Sequence, residues 1–421
     1  MDLLRLATIG IVVLGHWLSA AVEADPRHQP VAHSVLAPLS WAAPVSWLFQ
    51  LVPMFFLVTG ATNAELLVSD WRKGRSTASW FGARGGRLVP TVTVLLLVFS
   101  AAAGAARLLG TDPVVLRAAV RAASSPLSFI TIYLVLVLLT PVMYRLHERF
   151  GVSVLVVLVL LVGFGDAARF AGFPDLGAGN YLFGWLAIHQ VGFFWYDGRL
   201  RLGRRGSVAL LAGGLAVLVS LTVAGPYPVT MIDIPGRPFK NVSPPSLALL
   251  ALTAAYLGLI LLLRNRAERW LRRRGPWRLV VFVNGVALTI FLWHMAAVLV
   301  VSGPLWAVHA LPSSAAVDSR EWWAWRVPWL LLLTLAMALL VAVFGPVELR
   351  LRGDEWPHWR VPARLRLPFA LAGLLATIAG LMVNGLTPPR HPEQLGLPVA
   401  TLVCFLVGAS LLRLLRGSHD V

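Results

Sequence analysis

The chain has 421 residues, 58% hydrophobic and only 13% charged, and that much apolar side chain exceeds what one water-soluble core can bury, which excludes a soluble globular protein. Its net charge of +17 is an arginine charge, because Lys73 and Lys240 are the only lysines among 36 basic residues, and its spread over short segments between apolar runs argues against nucleic acid as a partner. The single Cys404, inside the apolar run Val403-Cys404-Phe405, excludes an intrachain disulfide framework and a Cys-rich metal site.

About 20 apolar residues cross a bilayer core. Runs of that kind predict twelve spans over 3–22, 42–68, 88–107, 127–145, 152–170, 180–197, 206–225, 246–263, 279–301, 328–348, 366–386 and 396–415. The expected fold is all-α, a polytopic transmembrane helical bundle of about 10–12 spans with no soluble domain between them. Ala21-Val22-Glu23-Ala24 imitates a signal-peptidase site, but the first apolar run is long for a targeting segment and carries His16, so it reads as a retained span. Alternate loops are basic. Arg72, Lys73, Arg75, Arg84 and Arg87 follow span 2; Arg145 and Arg149 follow span 4; Arg199, Arg201, Arg204 and Arg205 follow span 6. Arg264 to Arg274 follow span 8, Arg350, Arg352, Arg360, Arg364 and Arg366 follow span 10, and Arg413 and Arg416 close the chain. Positively charged short loops stay in the cytoplasm, so both termini are expected there, in a multi-pass protein of the cytoplasmic membrane.

Ionisable groups at membrane depth are costly and are functional candidates by default. In span 1, Arg5 and His16 are eleven residues apart, about 1100° at 100° per residue, so they share one helix face about 16 Å apart along the axis. Span 2 holds Pro53, Gly60 and Asn63, a pattern suited to lining an interior, and Tyr133 lies in span 4. Span 6 carries His189-Gln190, and Asn241 opens the proline-rich turn before span 8. In span 9, His294 lies about 22 Å above Leu279, against about 20 Å for His16 above Leu3, so the two imidazoles are expected at one level, as a base and its helper. HExxH, GxSxG and phosphate-loop motifs are absent.

Taken in order, these blocks resemble integral-membrane acyltransferase family 3, which O-acylates surface polysaccharides, lipids and secondary metabolites. Arg5 and His16 are similar to its paired Arg and His in the first helix. Phe55-Phe56 with Thr59-Gly60-Ala61-Thr62-Asn63 resembles its second-helix block, with Thr59 where many relatives have Ser. Arg84, Arg87 and Pro90, then Pro126 to Phe129 with Tyr133, Pro141 and Arg145-Leu146-His147, His189 to Gly192, Asn241 to Pro245 and Leu292-Trp293-His294 extend the likeness over about residues 1–310.

The resemblance implies transfer of an acyl group, acetyl foremost, from cytosolic acyl-CoA as donor substrate, with no bound cofactor and no metal, to a hydroxyl of a carbohydrate, lipid or metabolite acceptor. His16, Arg5 and His294 are the candidate catalytic residues. Asn63, Tyr133, His189, Gln190, Asn241, Arg72, Arg84 and Arg87 are candidates for binding donor or acceptor, the arginines because their forks match phosphate oxygens. Direct transfer and transfer through an acyl-histidine both fit. Residues 1–350 are expected to form the acyltransferase core and 351–421 an additional C-terminal helix pair. The rival reading is a twelve-span secondary transporter of the major-facilitator type, loosely suggested by Asp70 to Arg75 but lacking the long central loop common in such carriers.

Overall fold

The computed structural model describes residues 1–24, 30–34, 39–233, 239–308, 310, 317–353 and 361–415. In chain order the helices are α1 (Asp2–Ser19), α2 (Ala42–Phe49), α3 (Val52–Arg72), α4 (Thr77–Leu108), α5 (Pro113–Ala123), α6 (Pro126–Phe150), α7 (Val152–Phe170) and α8 (Pro174–Gly177). They continue with α9 (Asn180–Tyr196), α10 (Arg204–Val219, prolonged by a π-helical turn Ser220–Ala224), α11 (Leu247–Leu271), α12 (Arg274–Gly285) and α13 (Ala287–Ala307). The last three are α14 (Arg320–Gly353), α15 (Ala363–Leu386) and α16 (Val399–Leu414).

The fold is an all-α membrane protein, and among the described residues ten helical segments are long and apolar enough to cross a bilayer. The other two predicted spans form shorter helices, α9 with 17 residues and α16 with 16. Arg360 and Arg416, and the side chains of Arg87 and Arg352, lie outside the described residues.

Four local departures from the sequence reading have physical causes. Span 1 ends at Ser19, and the chain turns into a short antiparallel pair, β1 (Ala20–Ala24) and β2 (Pro30–Ser34), in the register Ala20 to Ser34. The helix of span 3 begins at Thr77 instead of 88, because Ser76 caps it, its hydroxyl accepting from Ser79 N at 3.2 Å, and Gly85-Gly86 does not break it. Residues 113–123, read as loop, form α5 behind the Asp112 cap and Pro113, residues suited to a helix start. Span 9 is divided between α12 and α13 after Asn284-Gly285. The axial count from Leu279 to His294 therefore crosses a break, and His294 stands eight residues into α13.

The chain divides into two compact units. The first comprises Met1–Val12, Leu36–Val68 and Leu139–Asn284. In it the backbones of α3 and α9 touch at two glycines. A Cβ on Gly60 would stand 2.1 Å from the His189 carbonyl oxygen, and one on Gly192 would stand 2.2 Å from that of Leu57. The same unit is tied by Asp166 of α7, 1% exposed, whose carboxylate accepts from Asn180 Nδ2 (3.0 Å), Arg169 Nη1 (3.3 Å), Tyr227 Oη (3.0 Å) and the Leu247 N–H at the start of α11 (2.8 Å). Burial and the neighbouring Asp166 carboxylate raise the Tyr227 phenol well above its usual range, so it stays a donor.

The second unit comprises Val13–Val35, Ser69–Leu138 and Gly285–Val421. Here α15 and α16 pair with each other and pack on α4. Arg117 of α5, fully buried, fastens the end of α15: Nη1 donates to Asn384 Oδ1 at 2.7 Å and Nη2 to the Asn384 and Thr387 carbonyls at 2.8 and 2.9 Å. A cation at a helix C-terminus satisfies carbonyls that have no partner within the helix. That accounts for Arg117 and Arg121 in a segment outside the set of basic loops; Arg121 donates to the Gly385 carbonyl at 3.1 Å.

Candidate active site

The second unit brings together the two histidines that the sequence reading placed at one level. His16 Nδ1 lies 2.8 Å from His294 Nε2, with the rings within 10° of parallel and their centroids 5.1 Å apart. Proton positions follow from the other partner. His294 Nδ1 is 2.7 Å from the Phe291 carbonyl oxygen, which can only accept, so a neutral His294 carries its proton on Nδ1 and its lone pair on Nε2. The contact between the rings is then a donation from His16 Nδ1–H to His294 Nε2. His16 Nε2 is left with a free lone pair. His294 is fully buried, whereas His16 is exposed, so the basic nitrogen belongs to the accessible ring.

The neighbourhood fixes this geometry. Trp17, next to His16, donates its indole N–H to the His294 carbonyl at 2.9 Å, and Trp329 of α14 donates to the Trp17 carbonyl at 3.2 Å. Phe291 and Phe129 pack with ring centroids 4.7 Å apart, and Trp293 stacks on Phe344 at 3.8 Å. Glu348, 1% exposed, accepts from the Thr289 N–H at 2.9 Å and the Thr289 hydroxyl at 2.5 Å. A carboxylate at the first turn of α13 suits the positive end of the helix that carries His294.

In the first unit, Arg5 donates through Nη2 to the Thr62 hydroxyl at 2.6 Å and lies 3.8 Å from Asp2 through Nη1. Its side chain keeps 30% exposure, so part of its fork remains open to a further ligand. One position along α3, Asn63 is 1% exposed with Nδ2 3.4 Å from His189 Nε2, a meeting made possible by the glycine contact between α3 and α9. Gln190 is fully buried; its Nε2 lies 2.8 Å from His147 Nδ1, and His147 Nε2 lies 2.7 Å from the Asp197 carboxylate. The sequence reading does not contain this Gln–His–Asp chain, although Asp197 ends predicted span 6 and His147 stands two residues beyond predicted span 4.

The remaining candidates have other surroundings. Asn241 spends both Nδ2 protons on the Pro228 and Thr230 carbonyls, at 2.7 and 3.0 Å, and its Oδ1 accepts from Ser246 at 3.0 Å, which ties the turn before α11. Tyr133 is half-buried in α6 and Arg72 is exposed at the end of α3. Arg84 is half-buried, its guanidinium 5.9 Å from the Trp80 ring centre.

A family model described as an acyltransferase domain, that of acyltransferase family 3, matches residues 1–345. No curated protein and no solved structure gives a significant match.

Proposed function

The chain belongs to integral-membrane acyltransferase family 3, and from that premise we propose that it moves an acyl group, acetyl foremost, from cytosolic acyl-CoA to a hydroxyl of a surface polysaccharide, lipid or secondary metabolite. The observation that carries this reading is the exposed His16, its Nδ1 2.8 Å from Nε2 of a buried His294, a contact that leaves the lone pair of a neutral His16 on Nε2.

In direct transfer, His16 Nε2 takes the proton of the acceptor hydroxyl as its oxygen attacks the thioester carbonyl. The carbon–sulfur bond then breaks, and the CoA thiolate leaves with the proton that His16 returns. Ester and free thiol are the products, and the enzyme ends as it began. In the stepwise variant Nε2 attacks the thioester itself, the carbon–sulfur bond breaks and CoA leaves as thiolate, and the acyl-imidazolium so formed hands the acyl group to the hydroxyl, whose proton goes to the thiolate and leaves His16 neutral again. In both, His294 accepts the Nδ1–H of a ring that becomes cationic, and its lone pair stabilises that charge where water is scarce. Arg5, on the same helix, binds donor phosphate or carbonyl oxygen, with Arg72, Arg84 and Arg87 as further donor-phosphate ligands and Asn63, Tyr133, His189, Gln190 and Asn241 as a second tier of binding residues. The cytoplasmic membrane, both termini inside, is the setting that lets the donor arrive from the cytosol.

The test is the fate of label from acyl-labelled acetyl-CoA supplied to proteoliposomes with an acceptor extract. Label in base-labile ester linkage to acceptor supports acyl transfer. Label or acceptor accumulating in the lumen chemically unchanged would support the transporter reading in its place.

A further inference from the structure

Arg326 of α14 is 6% exposed and uses little of its hydrogen-bonding capacity. Nη1 donates to the Ala20 carbonyl at 2.9 Å, the guanidinium carbon stands 4.1 Å from the Trp322 ring centre, and Nε is buried without a partner. Among the described residues no carboxylate pairs with it. A cation buried in a membrane-spanning segment without a counter-charge is costly, and an aromatic face relieves only part of that cost.

Its position connects it with the histidine pair. Ala20, the first residue after α1, follows His16 by four residues, and Trp329, three residues from Arg326 on α14, donates to the Trp17 carbonyl. One stretch of α14 thus lies along residues 17–20, the stretch of chain that directly follows His16. A plain cap on the carbonyl that follows α1 needs one N–H, which lysine would supply; a guanidinium offers five in a planar fork shaped for phosphate or carboxylate.

We propose that Arg326 binds an anionic group, phosphate or carboxylate, of the acceptor substrate and so seats the acceptor hydroxyl against His16 Nε2. This rests on the reading of His16 as the group that takes the hydroxyl proton. Acceptor is favoured over donor because the Ala20 carbonyl that Arg326 meets follows His16 along the chain, whereas Arg5, the residue assigned to the donor, precedes His16 by eleven residues. A bound anion neutralises the guanidinium for the life of the complex, whereas a tetrahedral oxyanion would do so only in passing.

The experiment uses the full chain in phosphatidylcholine nanodiscs, reading the thermal unfolding midpoint against glucose, glucose 6-phosphate and glucuronate, with phosphatidic acid added to the lipid in a separate arm. The wild-type midpoint is expected to rise with both soluble anions and not with glucose. The half-saturating concentration is expected to rise about tenfold or more in Arg326→Gln and in Arg326→Lys, the latter keeping a cation for the Ala20 carbonyl and guarding against misfolding. A response to phosphatidic acid alone, lost in both variants, supports the same site filled by a lipid phosphate. Equal responses in wild type and both variants, or no response to any anion, overturn the proposal. His16→Ala is expected to retain the midpoint response; if that variant also retains full acyl transfer, the reading of His16 falls while the anion response still decides Arg326.

Discussion

A neutral imidazole acts as a base only through the nitrogen that carries no proton, and in His16 the choice of nitrogen is made by a chain of two acceptors, His294 Nε2 and the Phe291 carbonyl. Replacing His294 with leucine removes the acceptor and frees His16 to protonate either nitrogen. Because the lost contact is a hydrogen bond to a ring that becomes charged, worth about 1.5–3 kcal/mol, kcat is expected to fall about 10- to 100-fold with little change in KM. His294→Gln, whose amide oxygen can accept from Nδ1, is expected to recover part of that loss; steady-state kinetics on purified protein decide, and an unchanged kcat in His294→Leu would remove His294 from the mechanism. Arg5 poses a different question, anchor or clamp. Lysine serves a positive-inside anchor equally well but lacks the planar fork, so Arg5→Lys is expected to raise the donor KM while leaving the topology intact. Unchanged donor kinetics would return Arg5 to the anchor role.

At the scale of the elements, α3 and α9 meet backbone to backbone, and that contact sets Asn63 beside His189. A methyl group at Gly60 or Gly192 would run into a carbonyl oxygen that cannot move aside, so Gly60→Ala and Gly192→Ala are each expected to cost about 1–3 kcal/mol, seen as a lowered unfolding midpoint in detergent. Arg117→Leu is expected to orphan the carbonyls that end α15, at about 1–3 kcal/mol for a buried polar group left unpaired, and to open the Thr387 to Pro389 turn to proteases. Much of this scale was legible in the chain, because a span announces itself by about 20 apolar residues and Gly60 sits in a small-residue block. What stayed hidden were pairings between distant helices. Asp166, Arg326 and Glu348 stand near the ends of apolar runs, where a charged residue reads as an interfacial anchor; only the assembled helices show each of them buried and what each meets. The break between α12 and α13 was missed for a related reason, since Asn284-Gly285 lies within a run apolar enough to be counted as one helix.

For the whole molecule, the alternation of basic loops fixes an expected orientation that a single labelling experiment can read. With Cys404 replaced by serine, cysteines introduced at the exposed Arg75 and Arg390 should report opposite sides: a membrane-impermeant maleimide added to intact cells is expected to label Arg390→Cys and spare Arg75→Cys. The reverse pattern would place Arg5 on the wrong side for a cytosolic donor. The central claim, however, is chemical: an acyl group passes from a thioester to a hydroxyl through His16. Its most direct test is the rate of ester-linked label formed from acyl-labelled acetyl-CoA by purified wild type and His16→Ala, both shown to be monodisperse with matching unfolding midpoints. Loss of a general base typically costs about 10²- to 10⁴-fold, and a fall of that size in the variant is the expected result; wild-type turnover by His16→Ala would contradict it.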